Sequence, residues 1–331
     1  MTTVQQNQTT TLELFVRQVR YEGRNVQSYE LVDADGGDLP PFTAGAHIDV
    51  HLADGVIRQY SICNSPRERG RYVIAVLRDE RGRGGSKTLH EQWHVQDTVR
   101  VSRPRNHFEL VGNAGRVILL AGGIGVTPLK AMAHQLKAAG TTHEMHYCVR
   151  DAHAAAFSDE LSTLLGEELH LHVDGGDRSK GLDIEELLRD VAAHGTHIYC
   201  CGPAGFMSAC AEAAAAWPKG SVHFEHFSPP EPVAPPERND TGASGEAFTV
   251  EIASTGMRLP VPQDRSIAEV LRAANVPIET SCEAGLCATC KVRYLSGEIE
   301  HNDYILSDEE HENYLTVCVS RAKSGLLVLD L

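Results

Sequence analysis

From residue 11 to about 111, hydrophobic and polar positions alternate in short runs, LELFVRQV, AHIDVHL, VIRQYSI, YVIAVL and TVRVS, broken by Gly, Pro and Asp. A period of two turns one face of each run to a core and the other to solvent. Strands this short, separated by turn residues, predict a small antiparallel barrel. At Arg116 the pattern changes. The apolar strands VILLA, HEMHYCV, LHLHV and HIYCC now alternate with the helical stretches TPLKAMAHQLKAAG, FSDELSTLL, IEELLRDVAA and GFMSACAEAAAAW. Such a βα series implies a parallel sheet covered by helices, and HIYCC is its last expected strand. Residues 228–245, SPPEPVAPPERNDTGASG, then break every periodicity and read as a linker, extended where proline-rich and flexible at the Gly and Ser end. The expected organisation is multidomain: a β-barrel at 10–112, an α/β domain at 113–227, the linker at 228–245 and a C-terminal module at 246–331. No repeat of solenoid period is present.

Composition narrows the function. The chain has 331 residues, 42% hydrophobic and 23% charged, and no apolar run approaches the ~20 residues needed to span a bilayer. MTTVQQNQTTT lacks the basic and apolar regions of a secretory signal, so a cytoplasmic location is expected. A formal charge of −15 disfavours nucleic acid as a partner, since phosphates need Lys and Arg to neutralise them. Nine cysteines in a reducing compartment argue for metal ligation or catalysis over a disulfide framework.

Those cysteines supply the sharpest chemistry. TSCEAGLCATCKVRYLSG gives C-x4-C-x2-C at Cys282, Cys287 and Cys290, and Cys318 follows in YLTVCVS. A small-residue loop (Ala284, Gly285, Ala288, Thr289) can fold around two bridged irons held by four thiolates, the spacing of a plant-type 2Fe-2S cluster. A zinc site is the alternative, but two C-x2-C knuckles are usual there and only one is present. Cys63, Cys148 and Cys210 sit in apolar or helical contexts and read as small core residues. The histidines His143, His146, His170, His172 and His223 fall at strands with no evident carboxylate to complete a metal site. The run Asp308, Glu309, Glu310 and Glu312 is either a solvated face or a docking surface.

Strand VILLA leads into Gly122, Gly123, Ile124, Gly125, Val126, Thr127 and Pro128 at the start of a helix. Glycines admit a pyrophosphate to the backbone, and the helix N-terminus favours its charge. Alone this turn is weak evidence, and it is not the G-x-G-x-x-G of ordinary dehydrogenases. Its pairing with Tyr199, Cys200, Cys201, Gly202, Pro203 and Ala204 is more specific. In the barrel, Arg58, Gln59, Tyr60 and Ser61 form R-x-Y-S, and Gly82, Arg83, Gly84, Gly85 and Ser86 lead into a possible helix, KTLHEQW, as a phosphate cradle.

Together GGIGVTP and CGPAGFM resemble the nicotinamide domain of the ferredoxin-NADP reductase superfamily. The full order of motifs, with E-x-F at Glu225 to Phe227, resembles the phthalate dioxygenase reductase and vanillate demethylase reductase family over nearly the whole chain. That resemblance implies FMN on the barrel, NADH as cosubstrate and a β-grasp-like ferredoxin module. It also implies a terminal Rieske-type oxygenase as partner, which would choose the aromatic substrate. Carried onto this sequence, it places Arg58 at the flavin phosphate and Gln59, Tyr60, Ser61, Ala75, Val76, Leu77, Thr127 and Phe227 by the flavin, with Gly84, Gly85 and Ser86 closing on the phosphate. Gly122, Gly123, Gly125 and Pro128 would hold the dinucleotide pyrophosphate. Cys200, Gly202 and Pro203 would flank the nicotinamide, and Cys201, with Thr127, would stand near hydride transfer. Arg150 could bind a 2′-phosphate, whereas Asp174 could meet an adenosine hydroxyl and repel one; NADH is expected. A flavin suits the task because it accepts a hydride and releases single electrons. An FAD reductase for another acceptor and a noncatalytic redox sensor are the competing readings.

Overall fold

The computed structural model describes residues 11–228 and 247–331, apart from Arg81, Arg83 and Ser324. The expected linker therefore lies outside the described residues except for Ser228, as do the N-terminal tail and Arg83 of the GRGGS loop. The chain forms two compact units, Met1–Glu225 and His226–Leu331. No helix among the described residues is long and apolar enough to cross a membrane.

The first unit opens with β1 (Leu12–Gly23), β2 (Val26–Val32), β3 (His47–His51), β4 (Ile57–Ser61), β5 (Tyr72–Leu77), helix α1 (Gly85–Gln92) and β6 (Thr98–Val101). They make one antiparallel sheet in the order β4-β3-β6-β1-β2-β5. A bridge between Ile62, just past β4, and Ile74 of β5 joins its two ends, so the sheet closes on itself as the alternation predicts. The inward residues Leu14, Val16, Tyr29, Leu31, Ile48, Val50 and Ile74 fill the interior, and Leu89 of α1 plugs it.

Next come β7 (Arg116–Gly122), α2 (Val126–Ala139), β8 (Thr142–Val149), α3 (Ser158–Leu165), β9 (Leu169–Val173), α4 (Ile184–Arg189), β10 (Thr196–Cys201), α5 (Ala204–Ala213) and β11 (Val222–Glu225). The five strands run parallel in the order β11-β10-β7-β8-β9. HIYCC is thus not the last strand: VHFE follows α5 and pairs with it as β11. In β7 every residue from Val117 to Ala121 is buried, as a strand covered on both faces must be. Val117, Leu119 and Ala121 meet α2 and α3, and Ile118 and Leu120 meet α4 and α5. Val26, Ala44, Cys63, Ala75 and Phe108 of the barrel join the α2–α3 core. There the buried Lys130 donates to the Cys63 carbonyl (3.0 Å) and pairs with Glu160 (2.7 Å). Burial pushes the Cys63 thiol up to about 12, consistent with its reading as a core residue.

The second unit contains β12 (Phe248–Ile252), β13 (Met257–Val261), α6 (Ile267–Ala273), β14 (Lys291–Ser296), β15 (Ile299–Glu300), α7 (Asp308–His311), β16 (Tyr314–Thr316), β17 (Arg321–Ala322) and β18 (Leu326–Leu329). A mixed sheet in the order β13-β12-β18-β14-β16 carries α6, and β15 pairs with β17. Ser266 and Glu269 close a reciprocal cap at the start of α6. This is the α+β, β-grasp-like module expected for the C-terminus.

Candidate cofactor and cluster sites

The chain leaves β7 at Gly122, makes one tight turn over Gly123–Gly125 and enters α2 at once. That turn lies against the loop after β10. A methyl group on Gly125 would fall 2.1 Å from the Cys201 carbonyl oxygen, so only glycine lets the two loops touch. Thr127, 2% exposed, donates its hydroxyl to the Ile124 carbonyl (3.0 Å), and Pro128 sits buried in the first turn of α2. Pro203 is the N-cap of α5. The amides at both helix starts are therefore grouped at the carboxyl ends of the two central strands, where an open α/β sheet binds its ligand.

The two adjacent cysteines of β10 part company. Cys200 packs under α5 with Cys210 and Met207, so its side chain faces the core and only its backbone is available to a dinucleotide. Cys201 turns to the other face of the sheet, fully buried, its thiol raised well above the ordinary value by burial and by the neighbouring Glu225. Glu225 ends β11, opposite Cys201 in the parallel register. Burial pushes its carboxyl up to about 8, against the lowering influence of the Ser61 hydroxyl. Ser61 is the last residue of the R-x-Y-S strand. Ser61 Oγ is close enough to influence the Glu225 carboxyl, but neither Ser61 Oγ nor Glu225 Oε2 meets hydrogen-bond geometry with any described residue. Orphaned buried polar atoms are costly, and a polar ring edge bound between the barrel and the sheet would satisfy them.

At the other end of that strand the Arg58 side chain crosses the start of α1: a methyl group on Gly85 would lie 2.7 Å from its Nε. The helix N-cap, Gly84, is left-handed, offers no side-chain cap, and no acidic residue stands in the first turn. A guanidinium beside uncapped helix amides is a fitting cradle for a terminal phosphate. Ser86 Oγ accepts from the Asp79 amide (3.0 Å) and so shapes the loop. Tyr60 packs on the barrel interior, its phenol raised to about 12 by burial. Gln59 points elsewhere, donating to Asp49 Oδ1 (3.0 Å) and meeting His47 Nε2 (3.2 Å). On β5, Ala75 and Val76 are buried and Leu77 is 40% exposed.

In the second unit the cysteine loop bends through left-handed backbone at Glu283, Gly285 and Ala288. A methyl group on Gly285 would lie 2.9 Å from both Asp303 Cα and Val319 Cγ2, so the loop closes tightly. The four sulfurs form two contacting pairs, Cys282 with Cys287 and Cys290 with Cys318. Within each pair the partner's thiol lowers one sulfur, Cys287 beside Cys282 and Cys318 beside Cys290. Cys282 Sγ accepts from the amides of Ala284 (3.4 Å) and Leu286 (3.3 Å), and the Gly285 amide reaches Cys318. Two dithiol pairs under converging amides fit a two-metal anionic cluster better than a single tetrahedral zinc.

Comparison with known proteins agrees with both units. An oxidoreductase NAD-binding domain matches residues 119–212, and a 2Fe-2S iron-sulfur cluster binding domain matches residues 250–323. The reductase subunit of a tert-butanol monooxygenase/tert-amyl alcohol desaturase from Aquincola tertiaricarbonis is 50% identical over 327 residues, 97% of this chain and 96% of that one. The solved structure of phthalate dioxygenase reductase, described as modular for electron transfer from pyridine nucleotides to [2Fe-2S], is 42% identical, with a TM-score of 0.72 over 97% of this chain and 98% of that one. The chain belongs to the phthalate dioxygenase reductase and vanillate O-demethylase reductase family. It is an oxidoreductase with NAD-binding and 2Fe-2S domains. An intact type IV self-sufficient cytochrome P450 monooxygenase is also similar, at 37% identity and a TM-score of 0.85; this chain spans 41% of its length.

Within this family member, the structure brings Arg58, Tyr60, Ser61, Gly84, Gly85, Gly125, Thr127, Cys201 and Pro203 to the ends of neighbouring elements of one unit. Arg150 is exposed beyond β8, and the Asp174 carboxylate accepts from the Gly176 amide (2.7 Å) in its own turn. Phe227, two residues past the end of β11, is 45% exposed. Sequence reasoning missed Glu225 as a site residue. The E-x-F motif contains it, but only the pairing of β11 with β10 puts its carboxyl beside Cys201 and Ser61.

Proposed function

We propose that this chain is an NADH-dependent FMN reductase that delivers single electrons through its 2Fe-2S cluster to a separate terminal Rieske-type oxygenase or O-demethylase. The observation carrying this reading is the convergence of the R-x-Y-S strand, the Gly125–Thr127 turn and Cys201 on one unpartnered polar spot, Ser61 Oγ and Glu225 Oε2. When bound there, a flavin supplies the conversion of a two-electron hydride donor into one-electron steps. Arg58 and the start of α1 would hold its terminal phosphate, which favours FMN, and Tyr60, Ser61, Ala75 to Leu77 and Thr127 would line its ring. The turn after β7 would bind the pyrophosphate of NADH, with Asp174 at the adenosine end. Cys201 would shape the nicotinamide position and Glu225 would hold a proton beside it. Cys282, Cys287, Cys290 and Cys318 would ligate the cluster. Domain limits of 10–112, 113–227 and 246–331 around a linker at 228–245, and a cytoplasmic location, belong to the same reading.

The test is direct. Flavin released from the purified protein should have the mass of FMN, and NADH should drive reduction of an added Rieske oxygenase. A released FAD, or reduction of a haem monooxygenase but no Rieske protein, would replace this reading. The likeness to the self-sufficient P450 favours a haem acceptor as the second possibility.

A further inference from the structure

The histidines of β8 and β9 do have a carboxylate. Glu144 and His146 project from the same face of β8, and His170 stands directly across from His146 in the parallel register. Glu144 Oε2 lies 3.7 Å from His146 Nε2 and 3.8 Å from His170 Nε2, and three ligand atoms, one from each side chain, fall within 4.8 Å of one another. We propose that Glu144, His146 and His170 form a binding site for one borderline divalent cation of the zinc type, which fastens the edge strand β9 to β8.

Five observations carry the assignment. Zinc bonds of about 2.0–2.2 Å to nitrogen and oxygen set tetrahedral ligand edges near ~3.4 Å, a few tenths of an ångström shorter than the two contacts. His146 is 6% exposed, and its Nε2 is sealed from solvent without a hydrogen-bond partner. Its other nitrogen, Nδ1, lies 3.1 Å from His172 Nε2. With His146 Nδ1–H as the donor to His172 Nε2, this hydrogen bond fixes the ring and leaves the Nε2 lone pair for a cation, as an outer hydrogen bond does for metal-bound histidine. Glu144 Oε1 accepts from Arg116 (2.8 Å), which orients the carboxylate and leaves Oε2 facing the two rings. His170 is the exposed member and gives the cation an entry path. Three protein ligands leave a fourth position for water.

The experiment uses the full chain with its flavin and cluster in place, washed with chelator and titrated with Zn2+ by calorimetry, with zinc and iron counted afterwards by mass spectrometry. Wild type should take up one zinc per chain with its iron content unchanged and its unfolding midpoint raised. His170→Ala and Glu144→Gln should each weaken uptake at least about tenfold, since each removes one of three ligands. His170→Ala changes an exposed side chain and should keep the fold, so its result stands if the Glu144 variant does not express. Failure of wild type to bind zinc, uptake indifferent to His170→Ala, or uptake that tracks loss of cluster iron would each overturn the site.

Discussion

On the proposed reading the two units would hold their redox groups by opposite means. In the second, one contiguous loop and one later cysteine would supply four covalent ligands, and the backbone bends through left-handed residues with amides reaching the sulfurs. In the first, nothing would be covalent. Backbone amides, one arginine, one hydroxyl and one carboxyl come from β4, β7, β10, β11 and the starts of α1, α2 and α5, and they would act together only through the close packing of those elements. A ligand set written in one loop tolerates change elsewhere. A site assembled from many elements transmits every packing error to its cofactor.

The sharpest break of that comparison is Cys290→Ser. Loss of a ligand that pairs with Cys318 should abolish the cluster, removing its visible absorption and its iron, while NADH still bleaches the flavin in the first unit. Loss of both signals in a folded protein would show that the units are not separable. The next effect is set by Glu225. Its carboxyl is raised from 4.5 to about 8 in the folded chain, so the folded state binds the extra proton between those values. Stability associated with that proton is complete below about pH 4.5 and falls as pH rises through 8, by roughly 1.4 kcal/mol per unit. In flavin-free protein, the unfolding midpoint of wild type should therefore drop relative to Glu225→Gln from pH 5 to pH 8 and run parallel to it above. Parallel profiles across the whole range would mean that Glu225 is not held protonated.

Legibility in the sequence divides along the same line. The 2Fe-2S module could be read at once, because C-x4-C-x2-C is a local spacing, and so could the barrel and the parallel sheet, whose periods are local too. Glu225 could not. It ends a strand of only four residues, VHFE, and its neighbour Cys201 lies 24 positions earlier in the chain. Glu144, His146 and His170 were missed for the same reason, since the register of β8 against β9 decides which side chains meet. Cys200 and Cys201 show the limit from the other side: adjacency in sequence suggests a shared role, but strand alternation sends one into the core beneath α5 and the other toward Glu225.

Arg58→Ala tests the noncovalent side at its one guanidinium. Losing a charge-assisted phosphate partner should weaken FMN retention by roughly 1.5 to 3 kcal/mol, about ten- to a hundredfold in dissociation constant, measured by flavin fluorescence on dilution. Because the N-terminus of α1 remains, some affinity should persist. Affinity equal to wild type would place the phosphate elsewhere.

The smallest expected effect concerns how the second unit meets its acceptor. Residues 246–331 hold 14 Asp and Glu against 7 Lys and Arg, so the module should steer a basic partner over about one Debye length, ~8 Å at physiological ionic strength. The choice of residues matters. Glu310 closes the cap on Ser307 at the start of α7 and pairs with Lys291 (2.6 Å), so reversing its charge would disturb the helix itself. Glu309 and Glu312 are exposed. Reversing these two with Lys costs at most about 1 kcal/mol of helix-terminus stabilisation and changes the field by four charges. The expected result is slower electron delivery to the oxygenase at low salt, convergence with wild type at high salt, and an unchanged rate with ferricyanide, whose reduction needs no docked protein. An oxygenase rate and salt dependence identical to wild type would assign the acidic run to solubility alone.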